Sequence, residues 1–218
     1  MLKRQWQRRL QRWWQAERLH FWDNAALELM KIKEMEVPVR WEMQLSNDEK
    51  LVLVGKIDRI DQNEDSFVIY DYKTGYANLK MKEEVQTGLK LQLPLYAIAL
   101  RKQLEKEQGK KVQAQGASYI SMRDPAKRAG NGIWRTEHIG KGSSYLVSSR
   151  CRNREDELGT EAFLEKYELK PLIEKRWREM SSQFSVRPLD CSKHCPYQAV
   201  CRVTEEQKEA KGSTGDEF

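Results

Sequence analysis

Residues 55–61 read GKIDRID and residues 71–75 read DYKTG. Each string overlaps a run of β-favouring residues. Leu51–Asp58 and Phe67–Lys73 are rich in Val, Ile and Tyr, and the polar stretch Asp61–Ser66 between them predicts a turn. Upstream, Val39, Trp41, Met43 and Leu45 alternate with Arg40, Glu42 and Gln44, the period of a strand with two unlike faces. Ser46, Asn47 and Asp48 predict the turn that joins this strand to the next, and the short connections predict a three-strand meander. Period-2 geometry sets Asp71 and Lys73 on one face. Adjacent strands lie about 4.8 Å apart, so Asp58 converges with Asp71 if the register permits. Two carboxylates that close are costly unless a cation joins them. Oxygen-only ligation suits Mg²⁺ or Mn²⁺, and a lysine beside such an ion orients water and stabilises charge building on a phosphate. Taken alone, Asp-x-Lys reads first as an ion pair on an edge strand.

Outward from this centre the chain divides into four stretches. Residues 1–36 predict an N-terminal helical arm, with Trp6, Leu10, Trp13, Trp14 and Phe21 at helical spacing among Arg8, Arg9, Arg12 and Arg18. The rings either pack on the body of the domain or form an aromatic and basic surface. Residues 37–150 form the expected core. Within it a helix starts near Gln92–Pro94, because proline is tolerated in a first turn, and runs to about Gln108. Strands are expected at Gln115–Met122 and Gly132–Ile139, and a polar, basic loop at Arg123–Gly130. Residues 151–203 predict C-terminal helices, broken or kinked at Pro171, and a cysteine cluster. Residues 204–218 predict a frayed tail. The expected fold class is therefore α/β, a mixed central sheet flanked by helices.

The net charge is +6, with charged residues making up 33% of the chain. That balance favours an anionic partner, nucleic acid being the commonest. Arg123, Lys127, Arg128, Arg135 and Lys141 read either as a phosphate-tracking surface or as solvated loop charges. No run of about 18 apolar residues predicts a membrane span, and the basic start MLKRQWQRRLQRWW lacks a signal-peptide centre. A cytoplasmic location is expected.

The order Gly55-x-x-Asp58, then Asp71-Tyr72-Lys73, then Gln92-x-x-x-Tyr96 resembles the RecB-like branch of the PD-(D/E)XK nucleases. This branch includes the nuclease domains of the RecB and AddB helicase–nucleases and the CRISPR-associated exonucleases. The resemblance covers roughly residues 38–100 and implies a restriction-endonuclease-like fold. It implies that Asp58 and Asp71 bind the metal, with the Tyr72 carbonyl as a further ligand. It implies that Lys73 is catalytic and that Gln92 and Tyr96 line the site. Glu42 resembles the family glutamate on the preceding strand, and equally reads as an exposed strand carboxylate. The family's active site includes a histidine on an upstream helix. The one available here is His20, in ERLHFW, which reads either as a third metal ligand or as a face residue of the arm.

Cys191, Cys195 and Cys201 lie within CSKHCPYQAVCR. Three thiols so close can enclose a soft metal. Relatives of the AddB and CRISPR-associated type carry a similar triple plus an upstream cysteine, which implies an iron–sulfur cluster. Here the fourth thiol is Cys151, which follows the nuclease motifs. Zinc held by three cysteines and His194 is the alternative, and unligated thiols a third reading.

These readings converge on a metal-dependent DNA nuclease, first of all a single-strand exonuclease, working with a helicase or other DNA-processing subunit. The alternative is an inert nuclease-fold module that binds DNA or scaffolds a larger complex. An enzyme acting on small nucleotides is disfavoured by the basic arm and by the lack of a Gly-rich phosphate loop.

Overall fold

The structure, a computed structural model, describes residues 2–17, 30–46, 48–77, 79, 85, 87–123, 132–135, 139–140, 147–148 and 169–182. Its elements are α1 (Leu2–Glu17), β1 (Lys31–Gln44), β2 (Lys50–Gln62), β3 (Ser66–Lys73), α2 (Gln92–Gln108), β4 (Gln113–Ser121), β5 (Gly132–Trp134), β6 (Ile139–Gly140), β7 (Val147–Ser148) and α3 (Leu169–Ser182). The chain divides into two compact units, Met1–Glu174 and Lys175–Phe218.

Five strands form one sheet in the order β1-β2-β3-β4-β5. β1, β2 and β3 are the expected antiparallel meander, β3 and β4 are parallel, and β4 and β5 are antiparallel. A parallel pair needs a crossover, and the stretch that carries α2 supplies it. β3 is the central strand. Phe67, Val68, Ile69 and Tyr70 are each wholly buried, because both faces of this strand are covered. On one face Phe67 and Ile69 join Ile57, Ile60, Leu93, Ala97 and Leu100 in the main core under α2. On the other, Val68 and Tyr70 pack with Ile120, Trp134 and Trp13 of α1. Full burial of each large side chain contributes on the order of 1.5–3 kcal/mol. A third cluster joins Met43, Leu45 and Leu51 to Ile98 and to Leu169 and Ile173 of α3.

The helix boundaries follow the local chemistry. Pro94 sits in the first turn of α2, where its missing N–H costs nothing. Gly109 ends the helix at φ 67°, a left-handed conformation that glycine adopts without a Cβ clash. Pro171 lies within α3, and the stretch before Leu169 lies outside the described residues. In the second unit Arg176 is bonded to Glu179 at 2.7 Å.

Three expectations need correction. Residues 1–36 are not all helical: α1 is described over Leu2–Glu17, residues 18–29 lie outside the described residues, and Lys31–Glu36 belong to β1, hydrogen-bonded along the far half of β2. Pairing with a waiting strand edge outweighed the weak helical periodicity. Asp61 does not begin a turn, since β2 runs on to Gln62. Asp61 is buried there beside Arg59, whose Nε and Nη2 reach its two carboxylate oxygens at 2.6 Å each. Finally, β5 ends at Trp134, short of Ile139. His20, Cys151, Cys191, His194, Cys195, Cys201, Lys127, Arg128, Lys141 and the 204–218 tail lie outside the described residues.

Burial acts to lower the Arg59 pKa, but the hydrogen bonds and charge of Asp61, with Tyr72 adding to them, outweigh it and hold the guanidinium above its ordinary value. The guanidinium therefore stays charged inside the sheet. Arg59→Ala leaves Asp61 buried without its partner, and is expected to lower the unfolding free energy by about 3–5 kcal/mol in urea denaturation. A loss under about 1 kcal/mol would remove the pair from the forces holding β2 in place.

Candidate active site

The last bridged pair between β2 and β3 is Arg59 with Tyr70. Continued by one residue, this register sets Asp58 opposite Asp71. Beyond that pair the Tyr72 N–H donates instead to the Asp58 side chain, at 2.7 Å to Oδ2. A strand residue's N–H and C=O share one edge, so the Tyr72 carbonyl also faces the Asp58 side. The sequence expectation that Asp58 and Asp71 converge is met.

Gln92, in the first turn of α2, ties Asp71 to the amine. Lys73 Nζ donates to its amide oxygen at 2.9 Å, and its NH₂ donates to Asp71 Oδ2 at 2.8 Å. This orientation of the amide is the one that satisfies both neighbours. The same NH₂ also reaches the Tyr96 hydroxyl at 3.3 Å. Gln92 and Tyr96 share a helix face at i,i+4 spacing. The Tyr96 hydroxyl in turn accepts the Lys56 backbone N–H at 3.4 Å. Gly55 has a concrete reason in this arrangement: a Cβ there would stand 2.5 Å from Tyr96 Cε1. The Gly-x-x-Asp and Gln-x-x-x-Tyr motifs are thus two sides of one contact.

Asp71 is 3% exposed. Burial raises its carboxyl pKa, the hydrogen bond and charge of Lys73 oppose this, and the charge of Asp58 adds to the rise. Lys73 Nζ also forms an ion pair with Asp71 Oδ1 at 2.5 Å. A buried carboxylate beside a second carboxylate and a carbonyl edge offers the oxygen-only donor set that suits a hard divalent cation. Among the described residues no group of three or more His, Cys, Asp or Glu side chains gathers at one point.

Glu42 is not brought to this centre. It is exposed on β1 and hydrogen-bonded to Arg40 at 2.8 Å, a bond that holds its pKa below the ordinary value. Its register partner is Val52, six residues before Asp58, or roughly 20 Å along the strand. The acid that the register does set opposite Asp58 is Glu36, between the pairs Met35–Arg59 and Val37–Ile57; it has φ 58° and an ion pair with Lys56.

Other residues at the site carried no sequence signal. The Lys73 ammonium lies 4.9 Å from the centre of the Tyr119 ring on β4. Behind the site Arg59 Nη1 donates to the Tyr72 hydroxyl at 3.2 Å, and Trp13 meets the Tyr72 ring edge-on at 5.9 Å. The i,i+2 spacing of Arg59 and Asp61 was the one available hint. A groove of about 500 Å³ opens beside Lys73 and Gln92, walled also by Gly75, Tyr76, Lys90 and Tyr119. Asp58 and Asp71 are not among its lining residues.

A family model described as the PD-(D/E)XK nuclease superfamily matches residues 1–202. Among curated relatives, an ATP-dependent helicase/deoxyribonuclease subunit of Thermoanaerobacter sp. strain X514 is 29% identical over 203 residues, covering 72% of this chain and 17% of the relative. The protein of the same name from Ruminiclostridium cellulolyticum is 26% identical over 210 residues, 77% of this chain and 18% of the relative. That of Clostridium tetani is 39% identical over 87 residues, 38% of this chain and 8% of the relative. The chain thus spans less than a fifth of the length of these relatives. With the family model covering most of its length and the expected motifs meeting in space, this chain belongs to the PD-(D/E)XK nuclease superfamily.

Proposed function

We propose that this chain is a divalent-metal-dependent nuclease that hydrolyses DNA phosphodiester bonds. The observation that carries the reading is the Gln92 clamp, which holds Lys73 and Asp71 together beside Asp58. Asp58 and Asp71 would hold Mg²⁺ or Mn²⁺, with the Tyr72 carbonyl as a further oxygen. When bound, the ion supplies Lewis-acid polarisation of a phosphoryl oxygen. Lys73 presents a fixed positive charge where charge builds on the phosphate, and Gln92 keeps its ammonium from swinging to solvent. Tyr96, seated over Gly55, keeps Gln92 in place.

The relatives' names, helicase and deoxyribonuclease, support DNA as substrate and a helicase as working partner. The resemblance to the RecB-like branch supports action on single strands from an end. The resemblance of Cys191, Cys195 and Cys201, with Cys151, to the cysteine set of the AddB and CRISPR-associated type supports a structural iron–sulfur cluster, with zinc held by the three cysteines and His194 as the alternative. No described helix is long and apolar enough to cross a membrane.

Two outcomes are expected. In Mg²⁺-dependent digestion of labelled DNA, Asp71→Ala and Lys73→Ala each lower the cleavage rate by about 100-fold or more, with DNA binding retained; a chelator abolishes native cleavage. Full activity in both variants would leave an inert DNA-binding module as the better account.

The second outcome concerns pH. The Asp71 carboxyl has a raised pKa in the fold, so it holds its proton more tightly folded than unfolded. Its destabilising effect is absent below about pH 4, the ordinary aspartate value, and grows as pH rises through the folded pKa. Asp71→Asn is therefore expected to raise the melting temperature of the metal-free chain at pH 7, and to lose that advantage below about pH 4. Added Mg²⁺ should raise the native melting temperature and leave that of the variant unchanged. A variant that melts below the native chain at pH 7 would contradict the assignment.

A further inference from the structure

The loop that follows Lys73 carries an aromatic ring that the fold does not bury. Tyr76 is 71% exposed and helps wall the groove beside Lys73. The Arg123 guanidinium lies over this ring, 4.3 Å from its centre. Both residues stand on backbone tied to the sheet. The Met122 N–H donates to the Lys73 carbonyl at 2.8 Å, Ser121 Oγ donates to the Gly75 carbonyl at 2.7 Å, and the Arg123 N–H donates to Ser121 Oγ at 3.2 Å. The ring is therefore held at a set place relative to Lys73, no more than about 11 Å of chain away.

We propose that Tyr76, backed by Arg123, is a stacking site for an unpaired nucleobase of a single-stranded substrate, next to the phosphate that Lys73 faces. The inference rests on the nuclease reading and assigns its single-strand preference to a particular side chain. A ring this exposed, with a guanidinium over one face, leaves its other face to solvent. Aromatic rings in that setting stack bases regardless of sequence, and a cation on the far face strengthens the stack. Lys73 and Lys90 on the groove wall match the charge of a nucleic-acid backbone. Bases within a duplex already stack on one another, so the ring rewards single strands alone.

The test is fluorescence anisotropy of the full chain with a labelled single-stranded oligonucleotide and with a duplex of equal length, both in chelator so that nothing is cut. Tyr76→Ala is expected to weaken single-strand binding about tenfold, and Tyr76→Phe and duplex binding should each change by less than about twofold. A single abasic position moved along the oligonucleotide should weaken native binding at one place, and that penalty should vanish in Tyr76→Ala. Unchanged single-strand affinity in Tyr76→Ala, equal losses on both substrates, or no single-strand binding by the native chain would each overturn the proposal. Cleavage plays no part in this readout, so a failed nuclease reading and a failed stacking site give different results.

Discussion

The Tyr72 N–H donates to Asp58 where the β2–β3 ladder runs out of backbone partners. Most of the candidate site depends on that substitution of a carboxylate for a ladder carbonyl. It pins Asp58 against the strand that carries Asp71 and Lys73, and leaves the Tyr72 edge facing the acids rather than another strand. Without it the two carboxylates would have no reason to stay close, because their charges repel. Gln92 then completes the geometry from the helix side, accepting from the amine and donating to Asp71 with one side chain.

Tyr72 couples this front face to the back of the sheet. Its hydroxyl accepts from Arg59, its ring meets Trp13, and Arg59 is itself bound to Asp61 and stacked 5.1 Å from the Tyr70 ring centre. At the back, the buried Arg59–Asp61 pair is satisfied by two hydrogen bonds of 2.6 Å. The front holds a buried carboxylate whose charge the fold disfavours. Such a division is expected where a site must keep open coordination: the cost at Asp71 is offset by the packing behind it.

Much of the core was legible in the residues. The alternation of Val39, Trp41, Met43 and Leu45 marked a buried strand face, and the apolar run Phe67–Tyr70 marked the strand that became central. Pro94 marked the start of α2. Misreadings arose where a distant partner set the outcome. Lys31–Glu36 became strand through pairing with Arg59–Gln62, and Asp61 stayed in β2 through its pairing with Ile32 and Val68. Glu42 occupied the expected strand but stayed with Arg40, far from the acids.

The residues in order determined the chemistry on offer: two acids, an amine, an amide and a phenol on strands and a helix whose periods are local properties of the chain. Side-chain faces follow from those periods without reference to anything distant. Which faces meet does not. Only the fold brought α2 back across the sheet so that Gln92 lies between Asp71 and Lys73, set Tyr96 over Gly55, and placed Arg123 on Tyr76. Those contacts join residues 19 to 47 positions apart, and their distances depend on strand register and crossover packing, which no short stretch of sequence encodes by itself.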